Sequence, residues 1–338
     1  ITLFIDEFQE FFKVNKSVYS DMQRIWDMYH TKAHINLIVC GSIFSMMTKI
    51  FKDKKEPLYN RQTRFMSIKP FTPAVLKEIM AEYNPNYTSE DLLALYSFTG
   101  GVAKYVQLLV DAGATTKTKM LNHIIKADSV FLGAGKAILI EEFGKDYGVY
   151  FSILSAIARG KTLRSEIEQI VGREIGGYLT KLEKEYEVIT KNQPIFEKSS
   201  TKNVRYTIED NFFTFWFRFI YKYNYMLEIE NYDAVKTIIN RDYETFSGKM
   251  LERYFKRVLM ESKAYTRIGS WWDRKGENEI DIVAENELND EAVFIEVKRK
   301  EDNFDADALN EKVDVFTRAT GKFKDYAVSQ KGLSMTDL

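Results

Sequence analysis

A chain of 338 residues, 45% hydrophobic and 29% charged, is long enough for two or three domains and too apolar for wholesale disorder. Its 48 Lys and Arg balance 49 Asp and Glu, and the net charge of −1 excludes a global basic field that would gather nucleic acid. One cysteine, Cys40, and three histidines exclude an internal disulfide framework and argue against structural zinc; a reducing, cytoplasmic setting is expected.

Residues 1–5 read as a buried strand closed by Asp6-Glu7. Val18, Met22, Ile25, Trp26 and Tyr29 then recur at helical spacing, and 35–40 is a second apolar run ending in Gly41-Ser42. A third short strand is predicted over 64–68. Strand, helix, strand points to a parallel α/β sheet. The chain opens inside strand text without an initiator methionine, so it is expected to be the C-terminal part of a longer protein. From Thr72 the period becomes helical, punctuated by Asn84-Pro85-Asn86 and Gly100-Gly101. Helices are predicted over 150–158, 163–171 and 178–186, then strands at 188–190 and 204–208, the winged-helix order. The aromatic run 212–219 reads as core, and the apolar stretch 212–225, broken by Arg218 and Lys222, is too short for a membrane span. A helix over 243–259, strands over 280–284 and 292–297, a helix over 306–317 and a strand at 325–328 complete an α/β unit. The boundaries drawn are 1–70, 71–126, 127–230 and 231–338.

Two constellations carry chemistry. The first is Leu3-Phe4-Ile5-Asp6-Glu7, four apolar residues before an acidic pair. This is the Walker B pattern, in which the aspartate holds the magnesium shell and the glutamate orients the attacking water. The plainer reading is a helix N-terminal cap. The stretches Asp6-Glu7-Phe8-Gln9-Glu10, Gly41-Ser42, Pro57-Leu58-Tyr59-Asn60-Arg61, Lys69-Pro70-Phe71 and Gly100-Gly101-Val102-Ala103-Lys104-Tyr105 follow in order. Later come 206–212 and Phe215-Trp216-Phe217-Arg218-Phe219. Together they resemble a family of archaeal and bacterial AAA-type (STAND-like) ATPases with a winged helix and a C-terminal nuclease-like domain.

The resemblance covers nearly the whole chain. It implies a multidomain α/β protein: a truncated AAA-type P-loop sheet, a helical lid, a winged helix and a restriction-endonuclease-like domain. It further implies that Asp6 and Glu7 serve ATP and Mg²⁺, that Ser42 ends the sensor strand, and that Arg61 senses phosphate. Self-association through the ATPase part and DNA as a partner follow from it as expectations. Asn60 stands where the family usually has glycine, and Ala103 where it usually has proline. No Gly-x-x-x-x-Gly-Lys-[Ser/Thr] loop occurs in the 338 residues, and the expectation is that it lay upstream.

The second constellation is acidic. Glu296-Val297-Lys298 ends an apolar strand, Asp281 lies on the strand before it, and Glu252 sits on the preceding helix beside its apolar stripe. An acid on one strand and Glu-x-Lys on the next resemble the PD-(D/E)xK nucleases. There Asp281 and Glu296 would bind Mg²⁺, Lys298 would position water or stabilise the transition state, and Glu252 would orient the metal shell. A surface Glu/Lys cross-strand pair is the plainer alternative. Between residues 161 and 205 nine Lys/Arg face seven Glu, a net +2, which suits a spacer or protein contact better than duplex binding. Residues 241–338 hold 17 Lys/Arg against 21 Asp/Glu, a net −4. The competing functional reading is a non-catalytic regulatory protein that binds a partner or nucleic acid without cutting it.

The missing phosphate loop sets an expectation for this 338-residue chain. ATP should bind no more tightly than roughly millimolar. Isothermal calorimetry checks it, and micromolar saturable binding would contradict it.

Overall fold

A computed structural model describes all 338 residues. The N-terminal unit pairs β1 (Thr2–Ile5) in parallel with β2 (Asn36–Val39), Thr2 facing Asn36 and Ile5 facing Val39. Around them lie α1 (Phe11–Val14), α2 (Val18–Tyr29) and α3 (Phe44–Lys52). Their small core is Phe8, Tyr19, Met47, Ile50, Phe51 and Leu58. Only Ile5 and Val39 of the strands reach it. The strands expected to be buried on both faces are instead open, with Leu3 50%, Phe4 60% and Ile38 43% exposed. Two strands alone have no neighbours to cover them. The strand predicted at 64–68 does not form, because no partner strand lies beside it to complete a ladder.

The segment expected to be a helical lid folds as α4 (Pro73–Tyr83), α5 (Ser89–Thr99), α6 (Ala103–Asp111) and α7 (Lys117–Ile124). Thr72 caps α4 ahead of Pro73, and a Thr88/Asp91 capping box starts α5. Gly100 ends α5 at φ +61°, and Gly101 follows at φ +76°. A Cβ on Gly101 would lie 2.5 Å from the Phe71 carbonyl, whose own N–H donates to Gly101 O at 2.7 Å. A Cβ on Gly100 would meet Asp210 Oδ1 at 3.0 Å. Three motifs far apart in the text therefore meet at one joint.

Beyond the lid, α8 (Val130–Phe143), which the sequence pattern did not single out, leads into α9 (Tyr147–Ala158), α10 (Arg164–Val171) and α11 (Gly176–Lys184). Antiparallel β3 (Ile189–Asn192) and β4 (Arg205–Ile208) follow. The segment between α9 and α10 touches this ribbon, Tyr206 N donating to Thr162 O at 2.8 Å. The aromatic run folds as α12 (Asn211–Phe215) and a π-helical turn, Trp216–Tyr221; Phe212, Phe215, Phe217 and Phe219 are buried. They are core and not a stacking platform. The short α13 (Asn224–Glu228) leads on to the C-terminal unit.

That unit opens with the 31-residue α14 (Tyr232–Ser262), longer at both ends than its periodic stretch. Four strands then form one sheet in the order β5 (Arg267–Trp272), β6 (Glu279–Asn286), β7 (Glu291–Val297), β8 (Ala327–Leu333). The first three are antiparallel neighbours, and β8 runs parallel to β7 after α15 (Ala306–Thr320). The strand β5 went unread because Gly269 and Ser270 break its apolar alternation. One core of 53 buried residues runs without a break through lid, three-helix unit and the α14 side of this sheet. A second, centred on Phe294 and Phe316, fills the α15 side. No helix is long and apolar enough to cross a membrane.

Two contacts tie the units together. Glu142 on α8 accepts from Phe44 N and Ser45 Oγ, both at 2.6 Å, and so caps α3 from a distance. The loop between β3 and β4 docks on edge strand β5: Ile195 N donates to Ser270 O at 2.9 Å, and Trp272 Nε1 to Asn203 Oδ1 at 2.8 Å. Arg205 pairs with Glu279 at 2.9 Å and lies 4.4 Å over Trp272. The β3–β4 loop is engaged within the molecule and covers the edge of the sheet at β5.

Ile195 is 7% exposed and joins the core of the second cluster. Ile195→Ala should cost about 2–4 kcal/mol in urea unfolding. The loop 193–204 should become the first site cut in limited proteolysis.

Candidate functional site

At the N-terminal unit, Asp6, Glu7 and Ser42 gather beyond the carboxyl ends of β1 and β2. Ser42 Oγ donates to Glu7 Oε2 at 2.8 Å, and the Gln9 side-chain amide donates to the same oxygen. Cys40 Sγ donates to Asp6 Oδ1 at 2.7 Å, and the Glu7 N–H donates to that oxygen at 2.9 Å. The Cys40 thiol and the Glu7 amide hold the Asp6 carboxyl below its usual range; the Asp6 charge pushes the thiol up. Glu7 is likewise lowered, by Gln9 and then Ser42. Neither side chain caps the following turn, so the cap reading fails. Glu7 itself holds φ +47°.

Arg61 stands apart from this group. Its guanidinium is clasped by Asp27, with both nitrogen–oxygen contacts at 2.8 Å, and by the carbonyls of Pro57 and Tyr59. The phosphate-sensing role expected of it is therefore not assembled here; a carboxylate fills its fork. Asn60 explains its own departure from the family pattern. It holds φ +58°, a left-handed conformation in which glycine is favoured and asparagine is the usual tolerated substitute.

The C-terminal constellation depends on a kink in β6. Gly269 faces Val283, but Trp271 faces Ile280, so Asp281 and Ile282 together oppose Ser270 alone. The bulge breaks the alternation: Ile280 and Val283 both enter the α15-side cluster, and Ile282 enters the other. The β6–β7 ladder ends at Ile282↔Ile295, and beyond it Asp281 Oδ2 accepts the Val297 N–H at 2.8 Å. Asp281 is thus held at the end of β7, beside Glu296 and Lys298.

Three lysines balance three carboxylates. Lys298 Nζ donates to Glu296 Oε1 at 2.8 Å. Lys312 on α15 reaches both Glu296 oxygens, at 2.9 and 3.0 Å. Lys249 reaches both oxygens of Glu252, at 3.0 and 3.1 Å. Burial, then the Asp281 charge, push Glu252 up to about 7, against the pull of Lys249. Asp281 is raised by burial despite the Val297 N–H, with Glu296 adding to the rise. Burial would raise Glu296 too, but the hydrogen bonds of Lys298 and Lys312 outweigh it and leave the carboxyl low. Lys298, though partly buried, is raised by Glu296, Asp281 and Glu252. The four residues singled out in the sequence share one electrostatic neighbourhood.

They do not form a finished metal cage. No three Asp, Glu, His or Cys side chains are placed to hold one ion. Glu296 turns both oxygens to Lys312, and Glu252 turns both to Lys249. The donors are hard oxygens of the kind Mg²⁺ takes, and a cation would have to displace ammonium groups to reach them. Lys249 and Lys312 escaped the sequence reading. Lys249 was legible as an i,i+3 partner of Glu252; Lys312 becomes a neighbour only when α15 packs on β7.

Comparison with known proteins places these features. Residues 1–109 match the family described as "ATPase domain predominantly from Archaea". Residues 216–312 match "Archaea bacterial proteins of unknown function", a span that includes Glu252, Asp281, Glu296, Lys298 and Lys312. An uncharacterized protein of Methanocaldococcus jannaschii is 33% identical over 314 residues, which is 88% of this chain and 67% of that protein. The chain belongs to an archaeal and bacterial ATPase-type family. An ATPase-like function, using nucleotide and typically Mg²⁺, goes with its N-terminal domain.

The Glu252 shift gives a signed pH dependence. Its folded carboxyl titrates above the unfolded one, so the neutral form is favoured on folding. Its favourable contribution is full below the ordinary glutamate range and is lost as pH rises through about 7. Glu252→Gln should gain on the parent by on the order of 1 kcal/mol between pH 5 and pH 8 in urea unfolding. Carboxyl NMR titration reads the same shift directly.

Proposed function

We propose that the C-terminal domain is a Mg²⁺- or Mn²⁺-dependent nuclease acting on DNA, governed by the ATPase-type unit to which it is joined. The observation that carries this reading is the β6 bulge, which sets Asp281 beside Glu296-x-Lys298 within reach of Glu252. The element order supports it: a helix bearing an acid, a three-stranded meander, a crossover helix and a parallel fourth strand resemble the nuclease-like fold. The three-helix and wing unit acts as a winged-helix spacer that fixes the domain, since its wing is buried against β5.

Asp281 and Glu296 would hold the divalent cation, which when bound supplies an activated water and neutralises charge on the scissile phosphate. Lys298 orients the water and offers positive charge to the phosphate oxygens. Glu252, neutral or charged near pH 7, orients the water shell and can carry a proton. In the ATPase unit, Asp6 would serve the magnesium shell, and Glu7, which accepts from Ser42 and Gln9, would orient the attacking water. Arg61 would have to leave Asp27 before it could meet a phosphate. The parent protein would self-associate through this unit.

A non-catalytic reading has two observations in its favour. Glu252 and Glu296 are already paired with lysines. The domain's net charge of −4 also works against DNA.

Plasmid and single-stranded DNA incubated with Mg²⁺ or Mn²⁺ separate the two. The parent chain should cut, and Asp281→Ala and Lys298→Ala should each lose at least about 100-fold in rate. If both variants match the parent chain, the cleavage is contamination and the non-catalytic reading stands.

A further inference from the structure

The chain turns away from the sheet directly after Lys298, and the next residue reaches back across the molecule to the lid. Arg299 Nη2 contacts Glu90 Oε2 at 2.5 Å, and Arg299 Nη1 donates to Ser247 Oγ at 2.5 Å. Glu90 lies in the first turn of α5, and Ser247 lies on α14, fully buried, donating in turn to Tyr243 O at 2.7 Å. The guanidinium also rests 5.6 Å from the Tyr243 ring centroid. Lys117, the first residue of α7, lies 4.5 Å over that ring and 3.7 Å from Glu90. One side chain thus joins the lid, the helix that carries Lys249 and Glu252, and the end of the strand that carries Glu296 and Lys298.

We infer that Glu90 and Arg299 form a latch through which the lid sets the position of Lys298 and Glu296, so that the lid regulates the C-terminal site. The inference rests on the nuclease reading of that site. Arg299 is a positioning residue; it touches none of the reacting groups and acts through its neighbour in the chain. Lys298 N donates to Leu333 O at 2.9 Å, which is the last regular bond of the β7–β8 ladder. Beyond it the Arg299 side chain ties the strand end to the lid. The latch is poised to respond to the ATPase unit, because α5 ends at Gly100-Gly101, the joint with Phe71 where residues 1–70 meet the lid. An open groove of about 700 Å³ lined by Thr88, Ser89, Glu244, Lys300 and Asn303 flanks Glu90. A partly buried pair with three further contacts is better held than an exposed one, which solvent would screen.

The test uses the full 338-residue chain with Glu90→Gln, Arg299→Gln and the double variant. Glu261→Gln, which breaks the 2.8 Å Arg257–Glu261 pair on the exposed side of α14, serves as a control for loss of an ordinary ion pair. In the metal-free protein, amide hydrogen exchange at 297–300 should quicken in both single variants and not in the control. Mn²⁺ binding, followed by electron paramagnetic resonance, should weaken about 5–10-fold in each single variant. The double variant should be no weaker than the weaker single, since both act through one contact. Unchanged exchange and Mn²⁺ affinity in Glu90→Gln, or additive losses in the double, would overturn the latch. Asp281→Ala separates this from failure of the site itself. If it leaves Mn²⁺ binding intact, the metal reading falls and takes the latch's function with it; if it abolishes binding while Glu90→Gln changes nothing, only the latch is wrong.

Discussion

Most of the chain downstream of residue 70 is organised by one apolar core, with a second, smaller one on the α15 side of the last sheet. The larger core runs from Leu76 in the lid through Phe151 and Phe215 to Ile295 and Leu333 in the last sheet, 53 buried side chains in contact. Close-packed interiors do not deform gradually, so lid, three-helix unit and C-terminal sheet shift together or by discrete local rearrangement. The N-terminal unit has only a six-residue core and leans on the rest through Glu142 and the Phe71–Gly101 joint.

Electrostatics divide the C-terminal carboxylates into different kinds. Glu296 is held charged by two lysines, while burial drives Glu252 toward the neutral form at the same pH. Neighbouring acids pushed in opposite directions are what a site needs if one is to hold charge and another is to pass a proton. The lysines make this possible without a metal, each ammonium group standing near oxygens that a divalent cation would otherwise claim.

The β3–β4 ribbon makes its contacts inside the molecule. Its loop supplies Ile195 to the core beneath β5 and Asn203 to Trp272, and Arg205 closes the contact with Glu279. An open sheet edge invites pairing with other chains. Here the neighbouring unit covers it, and the same contact holds the C-terminal sheet against the three-helix unit.

The sequence by itself determined what depends on short-range pattern. Helical stripes, the Gly100-Gly101 stop, the three-helix-then-ribbon order and the Glu-x-Lys strand end were legible because propensity and periodicity act within a few residues. What needed the tertiary structure was everything set by partners distant in the chain. The strand text at 64–68 found no neighbour and stayed irregular, and β1 and β2 stayed exposed for the same reason. Arg61 was claimed by Asp27, 34 residues away, and Glu296 by Lys312, a residue no spacing rule would select. The β6 bulge that aims Asp281 arises from register between strands, which a single strand's alternation cannot encode. Local chemistry names the candidates; only the packing of distant segments decides which of them meet.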